Sequence, residues 1–249
     1  MERIRISAVS YLNTKPFVYG LQHSDLIKDV DLSLDIPSLC AYKLSNDLVD
    51  IGLIPVAAIA DVPGGHIISD YCIASSGTVR TVILVSNVPL NEITKVILDD
   101  QSRTSVQLVK VLAKYFWKIS PTWENGKTGI EEQEFDRNTA AVVIGDKAFV
   151  AAQRFNYCYD LGEAWKTFTG SDFVFACWIA NKSLPIEFVS EFNKALGWGV
   201  LRIQDVIDEY DKVYPDYRIN EYFHENLGLV FDEQKRKGLE LFLKLNTAV

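Results

Sequence analysis

Side chains that can bind a small anion gather in five short loops of this sequence, at residues 10–14, 37–38, 75–78, 102–105 and 145–146. Hydroxyl, amide and guanidinium groups donate hydrogen bonds to carboxylate oxygens, and the free N–H groups and partial positive charge of a helix N-terminus favour the same anion. The candidate binding residues are Thr14, Ser38, Ser76, Arg103, Thr104, Ser105 and Gly145.

Two of these loops also carry side chains that could take part in a reaction. Asn13 can orient a bound molecule through its amide, and Asp146 can accept a proton if its surroundings raise its pKa. Each residue type has a structural alternative, because Asn, Thr and Ser commonly cap helices and a first-turn Asp commonly faces the helix dipole. Only the recurrence of such loops favours binding over capping. Arg103 can pair with a carboxylate or extend into solvent, and Arg80 and Lys15 share that ambiguity.

Composition excludes several other partners. The formal charge is −8 over 249 residues, and no concentrated basic patch is visible, so neither nucleic acid nor an acidic membrane surface is expected to bind. The 3 histidines and 4 cysteines stand apart, so we expect no metal site and buried, reduced thiols. The first residues lack the basic and apolar segments of an export signal, and we therefore expect a cytoplasmic protein, monomeric or dimeric.

Strands that alternate with helices must position these loops. Period-2 or continuous apolar runs predict strands over residues 3–9, 31–36, 51–54, 95–98 and 140–144. Caps, prolines and apolar stripes predict helices over residues 16–21, 37–48, 104–116 and 147–154, and from 185 onward. In open α/β sheets the carboxyl ends of parallel strands share the edge where ligands bind, so parallel sheets would bring the loops together. Gly126-Lys127-Thr128-Gly129 lacks the glycine spacing of a phosphate loop and predicts a hairpin turn.

Two extended segments interrupt the alternation, near residues 82–85 and 175–180. We interpret each as a crossover between two lobes, since two crossovers make one lobe discontinuous. The predicted first lobe comprises residues 1–85 and 180–249, and the second comprises residues 86–179. A ligand is expected in a cleft between them.

Four segments occur in order over most of the chain: Val9-Ser10-Tyr11-Leu12-Asn13-Thr14-Lys15-Pro16, Asp50-Ile51-Gly52-Leu53-Ile54-Pro55, residues 99–105, and Ile144-Gly145-Asp146. Together they resemble the chorismate dehydratase family of futalosine-route menaquinone biosynthesis, and the Ser-Tyr-Leu-Asn-Thr segment is the most specific of them. The resemblance implies an α/β, two-lobed, type II periplasmic-binding-protein-like fold with a discontinuous first lobe and a central cleft, used as a cytoplasmic enzyme.

The resemblance further implies that the protein removes water from chorismate, giving 3-[(1-carboxyvinyl)oxy]benzoate, with no redox cofactor or metal. Loss of the ring hydroxyl and a neighbouring ring proton makes the ring aromatic, so the protein needs mainly to hold the dianion and expose the proton to a base. Asn13 would then orient the substrate, while hydroxyl groups of the binding residues contact its oxygens. The base would be Asp146 or one of the substrate's own carboxylates.

Two other functions fit the same residues. The fold ordinarily captures ligands, and spacing alone reveals no unmistakable catalytic set, so a non-catalytic binding protein for a small carboxylate is one alternative. The other is the sister enzyme of the same route, which acts on dehypoxanthine futalosine and resembles the same fold. Formation of the dehydrated product from chorismate would distinguish the dehydratase from both alternatives.

Overall fold

The computed structural model describes residues 3–127, 129, 135–213 and 217–247. The chain forms two compact units, of which unit 1 comprises Met1–Ala74 and Val174–Asp232, and unit 2 comprises Ser75–Phe173 and Glu233–Val249. The strands are β1 (Ile4–Val9), β2 (Val30–Asp35), β3 (Ile51–Pro55), β4 (His66–Ser75), β5 (Val82–Ser86), β6 (Lys95–Leu98), β7 (Thr122–Asn125), β8 (Thr139–Ile144), β9 (Tyr157–Asp160), β10 (Phe173–Ala180) and β11 (Gly228–Val230). The α-helices are α1 (Lys15–Gln22), α2 (Pro37–Ser45), α3 (Arg103–Leu112), α4 (Ala148–Arg154), α5 (Leu161–Thr169), α6 (Ile186–Leu201), α7 (Ile203–Tyr210), α8 (Ile219–Glu221) and α9 (Glu233–Asn246).

Unit 1 is built on a six-stranded mixed sheet with the strand order β11-β4-β10-β3-β1-β2. β1 is parallel to β2 and β3, whereas β10 is antiparallel to β3. Every residue of β3 and β10 is buried, as expected of central strands that are covered on both faces. On one face Trp178 of β10 makes edge-to-face contacts with Phe17 of α1 and Phe192 of α6, at centroid distances of 6.0 and 5.1 Å.

Two glycines let the backbones of α1 and α6 touch. A Cβ atom added to Gly199 of α6 would overlap the carbonyl oxygen of Pro16, and one added to Gly20 of α1 would overlap the carbonyl oxygen of Ala195. Neither position therefore has room for a side chain. Because α1 directly follows residues 10–14, this contact fixes the helix to which the first candidate loop is attached.

Unit 2 has a five-stranded mixed sheet with the strand order β7-β6-β8-β5-β9. β6 is parallel to β7 and β8, and β5 is antiparallel to β8 and β9. The fully buried strands β5 and β8 pack against α4. Away from the sheet, Trp165 of α5 contacts Phe173 and Phe242 of α9 edge-to-face, at centroid distances of 5.2 and 6.1 Å.

The division of the chain differs from the predicted lobes at three points. β5 forms its hydrogen bonds with β8 and β9, so the chain leaves unit 1 at Ala74, within β4, rather than after residue 85. β10 pairs with β3 and belongs almost entirely to unit 1. α9 was expected in the first lobe but packs in unit 2, where an added Cβ at Gly238 would overlap the backbone oxygen of Asp172. The sheets are also mixed rather than purely parallel, because β10 runs antiparallel to β3 and β5 runs antiparallel to β8 and β9.

Two further sequence predictions concern the cysteines and one glycine-rich loop. Cys40, Cys72 and Cys177 are buried, but Cys158 on the edge strand β9 is exposed, because only one side of a short edge strand is covered. The predicted turn at Gly126-Lys127-Thr128-Gly129 includes Thr128, which lies outside the described residues, so that turn stays a prediction.

Candidate functional site

In unit 1 the loops that follow β1 and β2 lie at one edge of the sheet. The two strands are parallel and in register up to the pair Val9↔Asp35. The backbone N–H of Ser10 then donates to the carbonyl oxygen of Asp35 at 2.9 Å. The structure therefore brings the loop with Asn13 and the start of α2 with Ser38 to the same sheet edge, as the sequence predicts.

Asn13 is held through its amide oxygen. It lies in a 3-10 helix, Leu12–Thr14, that leads into α1. The buried hydroxyl of Thr14 donates to Asn13 Oδ1 at 3.1 Å. The half-buried NH₂ group of Asn13 has no hydrogen-bond partner within the part of the chain that the structure describes. This amide is therefore oriented by the protein and keeps two N–H donors for a ligand.

Helix capping does not account for Thr14 or Ser38. Thr14 is the N-cap residue of α1, yet its side chain accepts no capping hydrogen bond from the helix. The N-cap residue of α2 is Ile36, so Ser38 is already the second helical residue and also makes no cap. Capping was the structural alternative for both residues, but the Thr14 hydroxyl donates its proton to Asn13 Oδ1, so ligand binding by these hydroxyls stays a prediction.

A charged network that the sequence did not reveal lies beneath this edge. Asp35, the last residue of β2, accepts hydrogen bonds from the hydroxyls of Ser7 and Ser33, both at 2.7 Å, and from the ammonium group of Lys43. Burial raises the pKa of Asp35, but the hydrogen bonds from Lys43, Ser33 and Ser7 outweigh it, so the pKa is lowered overall. Burial also raises the pKa of Cys40 to about 12, which makes this nearby thiol unreactive. The network fixes β1, β2 and α2 together below the loop.

In unit 2 the ends of β6 and β8 form a second cluster. These strands are parallel, with Ile97 paired to Ala141, so the residues that follow them meet at one edge. The ammonium group of Lys147 lies 3.0 Å from Asp99 Oδ2, whose side chain is fully buried. Burial raises the pKa of Asp99, and Lys147 lowers it by a smaller amount. The ion pair joins the loop at residues 99–105 to the turn at residues 145–147.

The N-cap residue of α3 is Ser102, so capping is not the role of the candidate binding residues Thr104 and Ser105. The hydroxyl of Ser102 accepts from the backbone N–H of Ser105 at 3.1 Å and donates to the Ser105 hydroxyl at 3.0 Å. Ser102 has the extended backbone of an N-cap residue, whereas Thr104 and Ser105 already lie inside the helix and are buried. Arg103, the first residue of α3, is exposed. Three hydroxyl residues occur within these four positions, so the sequence alone does not identify the cap.

The loop before β5 lies at the same edge of unit 2 and is tied down by Asp160. This N-cap residue of α5 accepts from the backbone N–H groups of Val79 and Arg80 at 3.0 and 2.7 Å, as well as from two amides of the helix. Within the loop, the Ser76 hydroxyl donates to Asp172 Oδ2 at 2.9 Å. Because that proton is already shared, Ser76 can donate to a ligand only after its bond to Asp172 breaks.

Two residues at this edge have a backbone in the left-handed region. Gly145 has a φ of 70° and donates its N–H to the carbonyl oxygen of Thr81 at 2.9 Å, so a tight turn ends β8. Arg80 has a φ of 63°, and its guanidinium carbon lies 5.1 Å from the ring centroid of Phe149. The predicted Asp146 is half-buried in the turn after Gly145. Its role as a base stays a prediction.

Lys147 and Asp99 are the candidate residues that sequence reasoning missed as a pair. Asp99 directly follows the predicted strand at residues 95–98 and Lys147 lies three residues after the one at residues 140–144, so the signal was their position beyond the ends of two neighbouring parallel strands. Among the described residues there is no group of three or more His, Cys, Asp or Glu side chains that could hold a metal ion. No helix in that part of the chain is long and apolar enough to cross a membrane.

Solved structures resemble this chain over nearly its whole length. A protein of Archaeoglobus fulgidus is 15% identical, with a TM-score of 0.77 over 99% of this chain and 97% of that one. The periplasmic aliphatic sulphonate binding protein of Escherichia coli is 14% identical, with a TM-score of 0.60 over 100% and 91%. A Candida albicans protein described as having the generic periplasmic binding protein fold is 10% identical, with a TM-score of 0.67 over 100% and 91%. These likenesses confirm the predicted α/β, periplasmic-binding-protein-like fold, while the central cleft stays a prediction.

Sequence comparison gives the family. The profile of a family described as menaquinone biosynthesis matches residues 4–248, which include all four segments on which the resemblance was based. A match of this extent covers both units and both strand-end clusters. The chain therefore belongs to the menaquinone biosynthesis family.

Proposed function

We propose that this protein is a chorismate dehydratase, which converts chorismate to 3-[(1-carboxyvinyl)oxy]benzoate and water. Membership of the menaquinone biosynthesis family supports an enzyme of that route. The observation that carries the choice of substrate is the segment at residues 10–14, in which the Asn13 amide is fixed by Thr14 and keeps its two N–H donors. This segment is the one that most specifically resembles the dehydratases.

The reaction asks little of the protein beyond position and charge. Chorismate carries two carboxylates, and removal of a ring proton and the neighbouring hydroxyl gives an aromatic ring together with one molecule of water. In this proposal Asn13 orients the ring through its N–H donors, Thr14 holds the Asn13 amide in place, and Ser38 contacts an oxygen of the substrate. Preorganised donors of this kind stabilise developing charge more effectively than water does.

The proton acceptor is either Asp146 or a carboxylate of the substrate itself. The strand-end loops contain no histidine, and Asp146 is a carboxylate in the turn that follows β8. An intramolecular base would require no protein carboxylate at all, only a substrate conformation that brings the carboxylate to the proton. Asp146→Asn separates the two, because an intramolecular base predicts turnover within a few-fold of the parent.

A non-catalytic binding protein is the second candidate, and the similarity to the sulphonate binding protein of Escherichia coli favours it. Such proteins use the same fold to capture anions. The sister enzyme that acts on dehypoxanthine futalosine is the third candidate, since the family description does not separate the steps of menaquinone biosynthesis.

The test is incubation of the purified full chain with chorismate, without added metal or nucleotide, followed by liquid chromatography and mass spectrometry. The proposal expects a product that is 18 mass units lighter than chorismate and aromatic in its ultraviolet spectrum, formed in proportion to protein concentration. Binding of chorismate without product would replace the proposal by the binding-protein reading. Turnover of dehypoxanthine futalosine alone would replace it by the sister enzyme.

A further inference from the structure

A groove on unit 2 gathers positive charge that the composition of the chain does not lead one to expect. It has a volume of about 510 Å³ and is lined by the end of α3, the following π-helical turn Ala113–Trp117 and the start of β7. β7 runs parallel to β6, so its first residue, Thr122, lies at the amino end of the sheet. The groove is therefore at the edge opposite to the strand-end cluster of Asp99 and Lys147.

Three lysines point to an anionic ligand. Lys110 lies in α3, Lys114 lies in the π-helical turn and Lys118 ends that turn with a left-handed backbone, and all three line the groove. No carboxylate lies within ion-pair distance of Lys110 or Lys118 among the residues that the structure describes. The chain carries a formal charge of −8, so two ammonium groups, of Lys110 and Lys118, with no carboxylate partner among the described residues are a local departure from its general character.

The fourth member of the groove is an aromatic ring. Trp123 lies on the edge strand β7 and keeps 37% of its surface exposed. The Lys110 ammonium group is 5.9 Å from the centroid of its ring. Lysines near an edge strand can prevent it from pairing with another chain, which would be an alternative explanation of the charge. An exposed tryptophan beside them does not prevent such pairing. A flat apolar surface next to two ammonium groups that have no carboxylate partner among the described residues matches a planar ring that carries negative charge.

We propose that this groove binds a small planar aromatic dianion, a ring that bears two carboxylates. The ammonium groups of Lys110 and Lys118 pair with the carboxylates, and the indole of Trp123 packs against the ring. A volume of about 510 Å³ lies within the range of small-molecule sites, about 300–1,000 Å³. This site is independent of the proposed dehydratase reaction, since it shares no residue with either strand-end cluster.

The test uses benzene-1,3-dicarboxylate as the probe and isothermal titration calorimetry on the full chain. The variants are Lys110→Gln/Lys118→Gln and Trp123→Leu, and the matched control is Lys244→Gln, which removes one exposed positive charge from α9 of the same unit. Asn13→Ala is included because the probe could also occupy the substrate site. Cyclohexane-1,3-dicarboxylate serves as a probe with the same charges and no aromatic ring. Circular dichroism confirms that each variant is folded.

The proposal predicts binding that is weakened about tenfold or more in the double lysine variant and several-fold in Trp123→Leu. It also predicts unchanged binding in Lys244→Gln and Asn13→Ala, and weaker binding of the cyclohexane probe. Equal affinity of the double lysine variant and the parent would overturn the site. Equal affinity for the two probes would overturn its preference for an aromatic ring, and loss of binding in Asn13→Ala alone would assign the probe to the substrate site.

Discussion

Asp50 provides a quantitative test of what holds the sheet of unit 1 together at its end opposite the candidate loops. Its side chain is 3% exposed and lies 2.7 Å from the guanidinium of Arg5 and 2.6 Å from the ammonium group of Lys182. The backbone N–H of Arg5 also donates to it at 2.8 Å. Burial raises the pKa of Asp50, but the hydrogen bonds from Arg5 and Lys182 outweigh it and lower the pKa from 3.8 to about 2.

This lowering can be converted into stability. At about 1.4 kcal/mol for each tenfold change in the acid dissociation constant, the ionised Asp50 stabilises the folded state by about 2 kcal/mol. Because the folded-state pKa is the lower one, the contribution is complete above about pH 5 and is lost as the pH falls toward about 2. We therefore expect Asp50→Asn to lower the free energy of unfolding by about 2 kcal/mol at pH 7 and by about half as much at pH 3.

Urea denaturation of the parent and Asp50→Asn at pH 7 and pH 3 measures both values. Asp31→Asn is the matched control, because Asp31 pairs with Arg3 at the surface and its side chain is 57% exposed. Such a pair contributes under about 1 kcal/mol. If Asp50→Asn cost no more than the control at pH 7, or cost the same at both pH values, the ionised network around Asp50 would not be a source of stability.

Three further substitutions test other parts of the structure. Lys147→Met leaves the buried carboxylate of Asp99 without its cation, so urea denaturation should show a loss of about 3 kcal/mol at pH 7. The loss should be smaller at pH 4, because burial raises the pKa of Asp99 and favours its neutral form. Ser102→Ala removes the N-cap of α3 and should lower the free energy of unfolding by about 1 kcal/mol in the same assay. Gly199→Ala forces a Cβ atom into the backbone of α1 and should lower the melting temperature through a loss of about 3 kcal/mol, whereas Gly77→Ala, whose added Cβ meets nothing within 4 Å, should change it little.

Local patterns in the sequence predicted the strands and helices that carry the candidate loops. The alternation in residues 3–9 and the continuous apolar run in residues 140–144 correspond to β1 and β8. The strand β9 and the helix α5 were not predicted, because β9 is short and partly exposed. The sequence could have predicted α5 from Asp160, because an Asp directly before an amphipathic segment is typical of a helix N-terminus. In the structure Asp160 caps this helix.

Long-range assignments could not be read from the sequence. α9 and α5 are separated by the second segment of unit 1, Val174–Asp232, and contacts such as that of Phe242 with Trp165 show that α9 belongs to unit 2. The ion pair of Asp99 and Lys147 also depends on a long-range contact, because the pairing of β6 with β8 brings the ends of these two strands together. Periodicity indicates which face of an element is buried, but it does not indicate against which other element.

The candidate site was predicted in part for a physical reason. Parallel strands place their carboxyl ends at one edge, so the loops with Asn13 and Ser38 could be expected to be neighbours before any coordinates were known. Whether a loop hydroxyl caps a helix or stays available to a ligand depends on the residue at which the helix begins, and a shift of one or two residues changes the outcome. The structure shows that the Thr14 side chain does not cap α1, whereas the Ser102 side chain caps α3.

The measurement that tests the central claim most directly is the rate of chorismate conversion by the parent, Asn13→Ala and Asn220→Ala. Asn220 is an exposed residue of unit 1 and loses the same amide in the control variant. We predict conversion of chorismate to an enolpyruvyl benzoate by the parent and by Asn220→Ala, and a rate at least about 100-fold lower for Asn13→Ala, as for the loss of one preorganised donor. Conversion by Asn13→Ala at the parent rate, or none by the parent, would contradict the account.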